Sequence, residues 1–203
     1  MAACCIHGID GHSKMSPRQK RVVENSQGVE VEAALAFAMA GDTVQAESLE
    51  QDLNQRYPLE TQVQSLWLPA IQAQLALTRK NSTPALNSVP AASTIELGSI
   101  PFVANISCLY PAYIRGEAYL AAGQGTQAAA EFQKILDHSG IVWNRWTGAL
   151  AHLDVARANA LQSRTSQGAD VDAARLRALA AYKDFLTNAL ERRRPRHPDP
   201  EGS

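Results

Sequence analysis

The stretch PAYIRGEAYLAAGQGTQAAAEFQKIL, residues 111–136, sets how the rest of the chain is read. Ala112, Gly116, Tyr119 and Gly123 fall at i, i+4, i+7 and i+11, one stripe of a 3.6-residue helix. After the glycine-rich turn, Ala128, Phe132 and Ile135 repeat the i, i+4, i+7 spacing. The pattern predicts two helices joined as a hairpin. Small residues at Gly116 and Ala128 let the two backbones approach closely, while Tyr119 and Phe132 fill the space beside them, each worth about 1.5–3 kcal/mol if buried. Neither helix can bury its stripe alone, so the hairpin needs neighbours.

The spacing recurs. In ALAFAMAGDTVQAESLEQDLNQRYP, residues 34–58, Ala34, Phe37, Gly41, Ala46, Leu53 and Pro58 take the places of Gly116, Tyr119, Gly123, Ala128, Ile135 and Gly140. A more degenerate copy, LPAIQAQLALTRKNSTPALNSV at 68–89, puts Leu77 at the Tyr119 place and Ala85 at the Ala128 place. It has Lys80 and Val89 where the core copy has glycine and phenylalanine. Downstream, ALAHLDVARANALQS supplies another first helix, and AARLRALAAYKDFL its partner through Ala178, Tyr182 and Phe185, with an enlarged turn around SRTSQGAD.

This spacing resembles the tetratricopeptide repeat, W-x2-L-G-x2-Y, then A-x3-F, then a closing proline. Gly116, Tyr119, Ala128 and Phe132 sit at its Gly, Tyr, Ala and Phe positions; Ala112 and Arg115 replace its Trp and Leu, and Gly140 its Pro. In wording, GDTVQAESLEQDLNQRYPLET, YPAYIRGEAYLAAGQGTQAAAEFQKILDHSGIV, GALAHLDVARANAL and AYKDFL look like the repeat region C-terminal to the catalytic domain of bacterial, especially acidobacterial, serine/threonine protein kinases. The resemblance covers roughly residues 30–187. It implies a helical array attached, in full-length relatives, to a kinase or to a signalling and DNA-binding module. The residues ahead of the repeats carry no kinase signature, and the polar ERRRPRHPDPEGS stretch stands where relatives usually continue into another apolar helix.

The expected fold is all-α, a right-handed α-solenoid of about four antiparallel helical hairpins. A leader over 1–26 is expected to be mobile or weakly helical. A repeat domain over 27–189 follows, with hairpins at about 28–58, 61–89, 109–139 and 144–189, and a disordered Arg/Pro-rich tail at 190–203 completes the chain. Gly41 should end one helix, Asp42 or Thr43 cap the next, and Pro58 stop it. Pro69 falls early in its helix, where a kink can form, and the helix opened by Thr83 and Pro84 and closed by Pro90 should be short. Residues 90–108 break the register. Ile95, Leu97, Ile100, Phe102 and Val103 are too frequent for a solvated linker and argue for a connector packed on the array.

Composition and motifs narrow the function. A net charge of −1 over 203 residues argues against an electrostatic nucleic-acid binder, and no apolar run approaches the roughly 18 residues of a spanning helix. Three cysteines form no disulfide framework, which favours a reducing, cytoplasmic setting. Cys4, Cys5, His7 and His12 lack the paired spacing of a zinc site. There is no phosphate-binding loop, kinase signature, nucleophile elbow or H-E-x-x-H motif, so neither an enzyme nor a cofactor is expected. Asp137 and His138 have no nucleophile motif beside them, and His138 reads as a residue closing a helix. Trp143 and Trp146 read as a seal on the preceding hairpin rather than a stacking surface, and the arginines from Arg192 to Arg196 as a solvated end.

What remains is an interaction module that holds a protein or peptide in a concave groove built from first helices. Tyr113, Glu117 and Arg157 are expected to look into that groove, although they can equally be solvated or pair with one another. The packing stripe is assigned to Ala34, Phe37, Ala46, Gly116, Tyr119, Ala128, Phe132 and Tyr182. The resemblance also allows a regulatory repeat region split from a kinase, acting by self-association or by contact with the kinase domain. Leu176, Leu179, Tyr182, Phe185 and Leu186 on the last helix have no helix after them to cover them, which predicts an exposed apolar patch or its burial by a partner.

Overall fold

A computed structural model describes residues 27–90, 95–98, 109–142 and 146–191. Among these residues 85% are helical and none lies in a strand. In chain order the helices are α1 (Gln27–Ala40), α2 (Thr43–Arg56), α3 (Leu68–Thr78), α4 (Ser82–Ser88), α5 (Tyr110–Ala121), α6 (Gly125–Asp137), the single turn α7 (Ser139–Val142), α8 (Trp146–Thr165) and α9 (Ala169–Glu191). The 1–26 leader with its cysteines and histidines, the connector's Ile100, Phe102, Val103 and Cys108, Trp143, Arg145 and the arginine tail lie outside the described residues.

Three of the inter-helix turns are built alike. Gly41, Lys80 and Gly123 all have positive φ, at 86°, 62° and 75°. Each donates its N–H to the carbonyl three residues back, Ala38, Leu77 and Leu120 respectively. The following residue donates to the carbonyl five residues back, from Asp42 to Phe37, from Asn81 to Ala76 and from Gln124 to Tyr119. This paired bonding closes a helix around a left-handed residue. Glycine adopts that conformation without penalty, whereas Lys80 bears the cost of a side chain in the left-handed region.

The residue after each turn then opens the next helix. The carbonyls of Asp42, Asn81 and Gln124 accept from the N–H of Ala46, Ala85 and Ala128. All three alanines are fully buried. The Asp42 side chain additionally accepts from Gln45 N–H at 3.2 Å, the cap expected of an aspartate there. These bonds also correct one alignment: the residue in the place of Phe37 and Tyr119 is Ala76, and Leu77 falls one position later. Without a glycine to mark the turn, the degenerate copy slips by one residue. The fourth turn differs, since α8 ends at Thr165 and the left-handed residue is Gly168, φ 63°.

Pro69 produces a local widening instead of a break. It lies in the first turn of α3, directly after a π-helical turn at Val63–Trp67 in which Leu68 N–H bonds to the Val63 carbonyl. Proline has no N–H to give the carbonyl four residues back, and a wider turn reroutes the bonding. The chain therefore stays helical from Thr61 to Thr78.

Packing follows one rule along the chain. The first helix of each pair packs on the first helix of the next, α1 on α3, α3 on α5 and α5 on α8. The second helix of each pair packs on that same next helix, α2 on α3, α4 on α5 and α6 on α8. The buried side chains form two clusters. One joins α1 to α5 through Val31, Leu53, Trp67, Ile71 and Ile114. The other joins α5 to α8 through Leu109, Tyr113, Phe132, Ile135 and Ala151.

Helix α5 belongs to both, and a chain of rings crosses it. Trp67 stands 5.8 Å from Tyr110, Tyr110 5.4 Å from Trp146, Trp146 5.0 Å from Tyr113, and Tyr113 5.6 Å from Phe132. Trp146 packs against both clusters, a sealing position for this residue. Gly116 is buried under Phe132, and a Cβ there would lie 2.7 Å from that ring.

Of the stripe residues, Ala34, Ala46, Gly116, Ala128 and Phe132 are buried and Tyr119 and Tyr182 half-buried. Phe37 departs from the expectation. It is 37% exposed, because α1 turns Val31, Ala34, Leu35 and Ala38 toward its neighbours and leaves Phe37 off that stripe. On α9, Leu176, Leu179 and Leu186 are all more than half exposed.

Candidate functional site

The face of α5 that carries Tyr110, Tyr113 and Glu117, at i, i+3 and i+7, looks toward α8 and toward α1. The first-helix residues expected to bind a partner meet here. Tyr113 Oη donates to Asp154 Oδ2 at 2.8 Å. Arg157 donates to Asp154 Oδ1 at 2.6 Å and to Glu117 Oε1 at 3.1 Å. The three residues singled out in the sequence therefore form one network, organised by an aspartate that was not.

Asp154 is buried, as is Tyr113, while Glu117 and Arg157 keep side-chain exposures of 28% and 48%. Tyr113 thus departs from the expectation of direct ligand contact. Its ring packs on Trp146 and Phe132, and its hydroxyl is given to Asp154. Little in the sequence marks Asp154, which lies in ALAHLDVARANAL like a solvated residue. The available signal was Arg157 three residues on, an i, i+3 charge pair.

Burial and the network's own charges set its electrostatics. Burial raises the Tyr113 hydroxyl above the usual phenol range, and the Asp154 charge raises it further. For Arg157 burial acts downward, but the bond to Asp154 and the Glu117 charge win, and the guanidinium stays charged. Glu117 is raised from the ordinary carboxylate value by burial and by Asp154, against the pull of Arg157. Neither the phenol nor the guanidinium is poised to exchange a proton near neutrality.

Next to this network an open groove of about 370 Å³ lies between α1, the start of α5 and the start of α8. Its walls are mostly apolar, formed by Leu35, Ala36 and Met39 of α1 with Tyr110 and Trp146. Glu32 is the one acidic side chain among them, and burial raises its carboxyl above the ordinary value. The volume falls at the small end of the roughly 300–1,000 Å³ of ligand pockets.

A second polar cluster is structural. Arg115 is buried and donates to Glu96 at 2.7 Å, to Glu131 at 2.6 Å and to the Val89 carbonyl at 3.2 Å. Lys134 bonds both carboxylates, at 3.2 and 3.0 Å. Glu96 is nearly fully buried although its neighbour Leu97 is 41% exposed. The described part of the connector is thus tied to α5 and α6 by an acid, where the sequence pointed to its apolar residues. Elsewhere, His138 Nδ1 lies 2.8 Å from the Lys134 carbonyl and closes α6. Among the described residues no group of three or more His, Cys, Asp or Glu can hold a metal ion. Nor is any helix there long and apolar enough to cross a membrane.

No protein-family model, curated protein or solved structure matches this chain. The likeness to kinase-associated repeats therefore rests on the quoted residues alone.

Proposed function

We propose that the chain is a non-catalytic interaction module, a right-handed array of tetratricopeptide-like hairpins that holds a peptide of a partner protein along its first helices. The groove of about 370 Å³ between α1, α5 and α8 carries the reading. Three first helices contribute to one apolar trough. Supporting it are the threefold recurrence of the same turn and the same inter-pair packing, features of stacked repeats that build extended binding surfaces.

The test uses random 12-residue peptides displayed on phage and selected on the purified chain. Captured clones are then compared on Met39→Glu, which places a charge in the trough, and on Gln127→Glu, at an exposed position of α6. Clones lost on the first variant and kept on the second are expected. Failure to enrich any sequence, or equal capture by Met39→Glu, refutes the groove as a peptide site.

A further inference from the structure

Away from that groove, we infer that α9 joins two copies of this chain, the two α9 helices lying antiparallel about a two-fold axis that passes between Leu176 and Leu179. Residues Asp172, Leu176, Leu179, Lys183 and Leu186 recur at alternating steps of four and three, the spacing of a seam between two helices wound on each other. All of them are exposed, the three leucines by 70%, 57% and 56%. Helix α9 buries Ala174 and Ala178 instead, and α8 is its one principal neighbour. With Ala178 aligned on Ala128, the counterparts of Leu179 and Leu186 on α6 are Ala129 and Leu136, and these pack against the α5–α8 cluster. A face that is covered on α6 is therefore open on α9, where it carries leucines.

The two charged positions in the seam decide what covers it and in which direction. In the antiparallel arrangement Leu176 meets the partner's Leu179, Lys183 meets the partner's Asp172, and Leu186 meets the partner's Ala169. The two-fold axis repeats each contact, so the central leucine layers carry an opposite-charge pair on either side. Parallel pairing would instead set Lys183 against the partner's Lys183 and Asp172 against the partner's Asp172, which is repulsive. A wholly apolar partner helix would cover both charges and offer no counter-charge. A second copy supplies both. Asp172 contacts Arg175 at 3.5 Å with both side chains more than two-thirds exposed, and it can take a second cation without giving up the first. One helix from each copy makes a small interface, so the dimer is weak and forms at high concentration.

Sedimentation equilibrium of the full chain over a concentration series tests this, with circular dichroism as the check on folding. The average mass is expected to rise from one chain toward two, and Leu179→Asp to hold it at one with helicity unchanged. Lys183→Glu and Asp172→Lys each set like charges against one another across the seam, and each should weaken self-association about tenfold. Mixing equal amounts of those two variants should restore the dimer, because each chain then carries the charges that the other lacks. A misfolded variant cannot imitate that restoration, and it requires position 172 to lie opposite position 183. A chain that stays monomeric at the highest concentration, a dimer that survives Leu179→Asp, or a mixture no more associated than its components overturns the proposal. Masses that climb past two chains replace the two-fold pair by head-to-tail stacking and overturn it as well.

Discussion

Replacing Arg115 by leucine puts an apolar side chain where a guanidinium stands, and the structure makes it a costly change. Arg115 is 5% exposed and makes three hydrogen bonds, two of them to Glu96 and Glu131. Burial alone would lower the tendency of its guanidinium to hold a proton, but the bonds to Glu131 and Glu96 more than offset this. Leucine would leave the Val89 carbonyl without this donor and Glu96 with Lys134 alone, at 3.2 Å. The second carboxylate oxygen of Glu96 is buried without a partner among the described contacts.

Removing one partner of a buried pair costs about 3–5 kcal/mol, and the residual Lys134 contact places Arg115→Leu near the lower end. For a domain of this size that is a fall in Tm of about 6–12 °C. Arg115→Leu with Glu96→Leu should recover most of the loss, since the uncompensated charge is gone and Glu131 keeps Lys134. Urea and thermal melts followed by circular dichroism measure both variants. A single variant within about 1 kcal/mol of wild type, or a double variant no better than the single, refutes the account of a buried and mutually dependent cluster.

Other perturbations follow from the same contacts. Gly116→Ala brings a methyl within 2.7 Å of the Phe132 ring and should cost about 1–3 kcal/mol in urea melts, with Gly116→Ala in a Phe132→Leu background costing less. Lys80→Gly removes a side chain from a left-handed residue at φ 62° and should stabilise by about 1 kcal/mol, seen as a higher midpoint with unchanged denaturant dependence. Burial acts to raise Glu131, but Arg115 and Lys134 outweigh it and hold the carboxyl below its ordinary value of 4.5. Its contribution is therefore present above pH 4.5 and lost as pH falls through the lower folded value. Glu131→Gln should accordingly be less stable than wild type at pH 7, with the gap closing toward pH 3; a gap that persists there contradicts the assignment.

What could be read in advance divides along physical lines. Backbone geometry leaves marks in single residues: Gly41 and Gly123 announce left-handed turns, and Ala46, Ala85 and Ala128 announce close helix approach. Lys80 shows the limit, because a turn that tolerates strain carries no glycine, and the register of Leu77 slipped with it. Side-chain pairing across the fold leaves no mark of that kind. Asp154 and Glu96 look like solvent-facing acids until Tyr113, 41 residues from the first, and Arg115, 19 residues from the second, are brought against them. Phe37 failed in the other direction, since periodicity says that a helix has an apolar face but not how wide a face its neighbours will cover.

The row of rings from Trp67 to Phe132 bears on how the chain comes apart. A stack held only by contacts between successive neighbours can unravel from either end in separate steps, each with its own midpoint. Here five aromatic side chains drawn from four helices interlock across α5, so neither cluster can loosen without stripping ring contacts from the other. The middle of the chain should melt as one cooperative unit, reported together by the emission of Trp67 and Trp146. Helix α9 packs on α8 alone among its principal contacts, and its amides should exchange with solvent first.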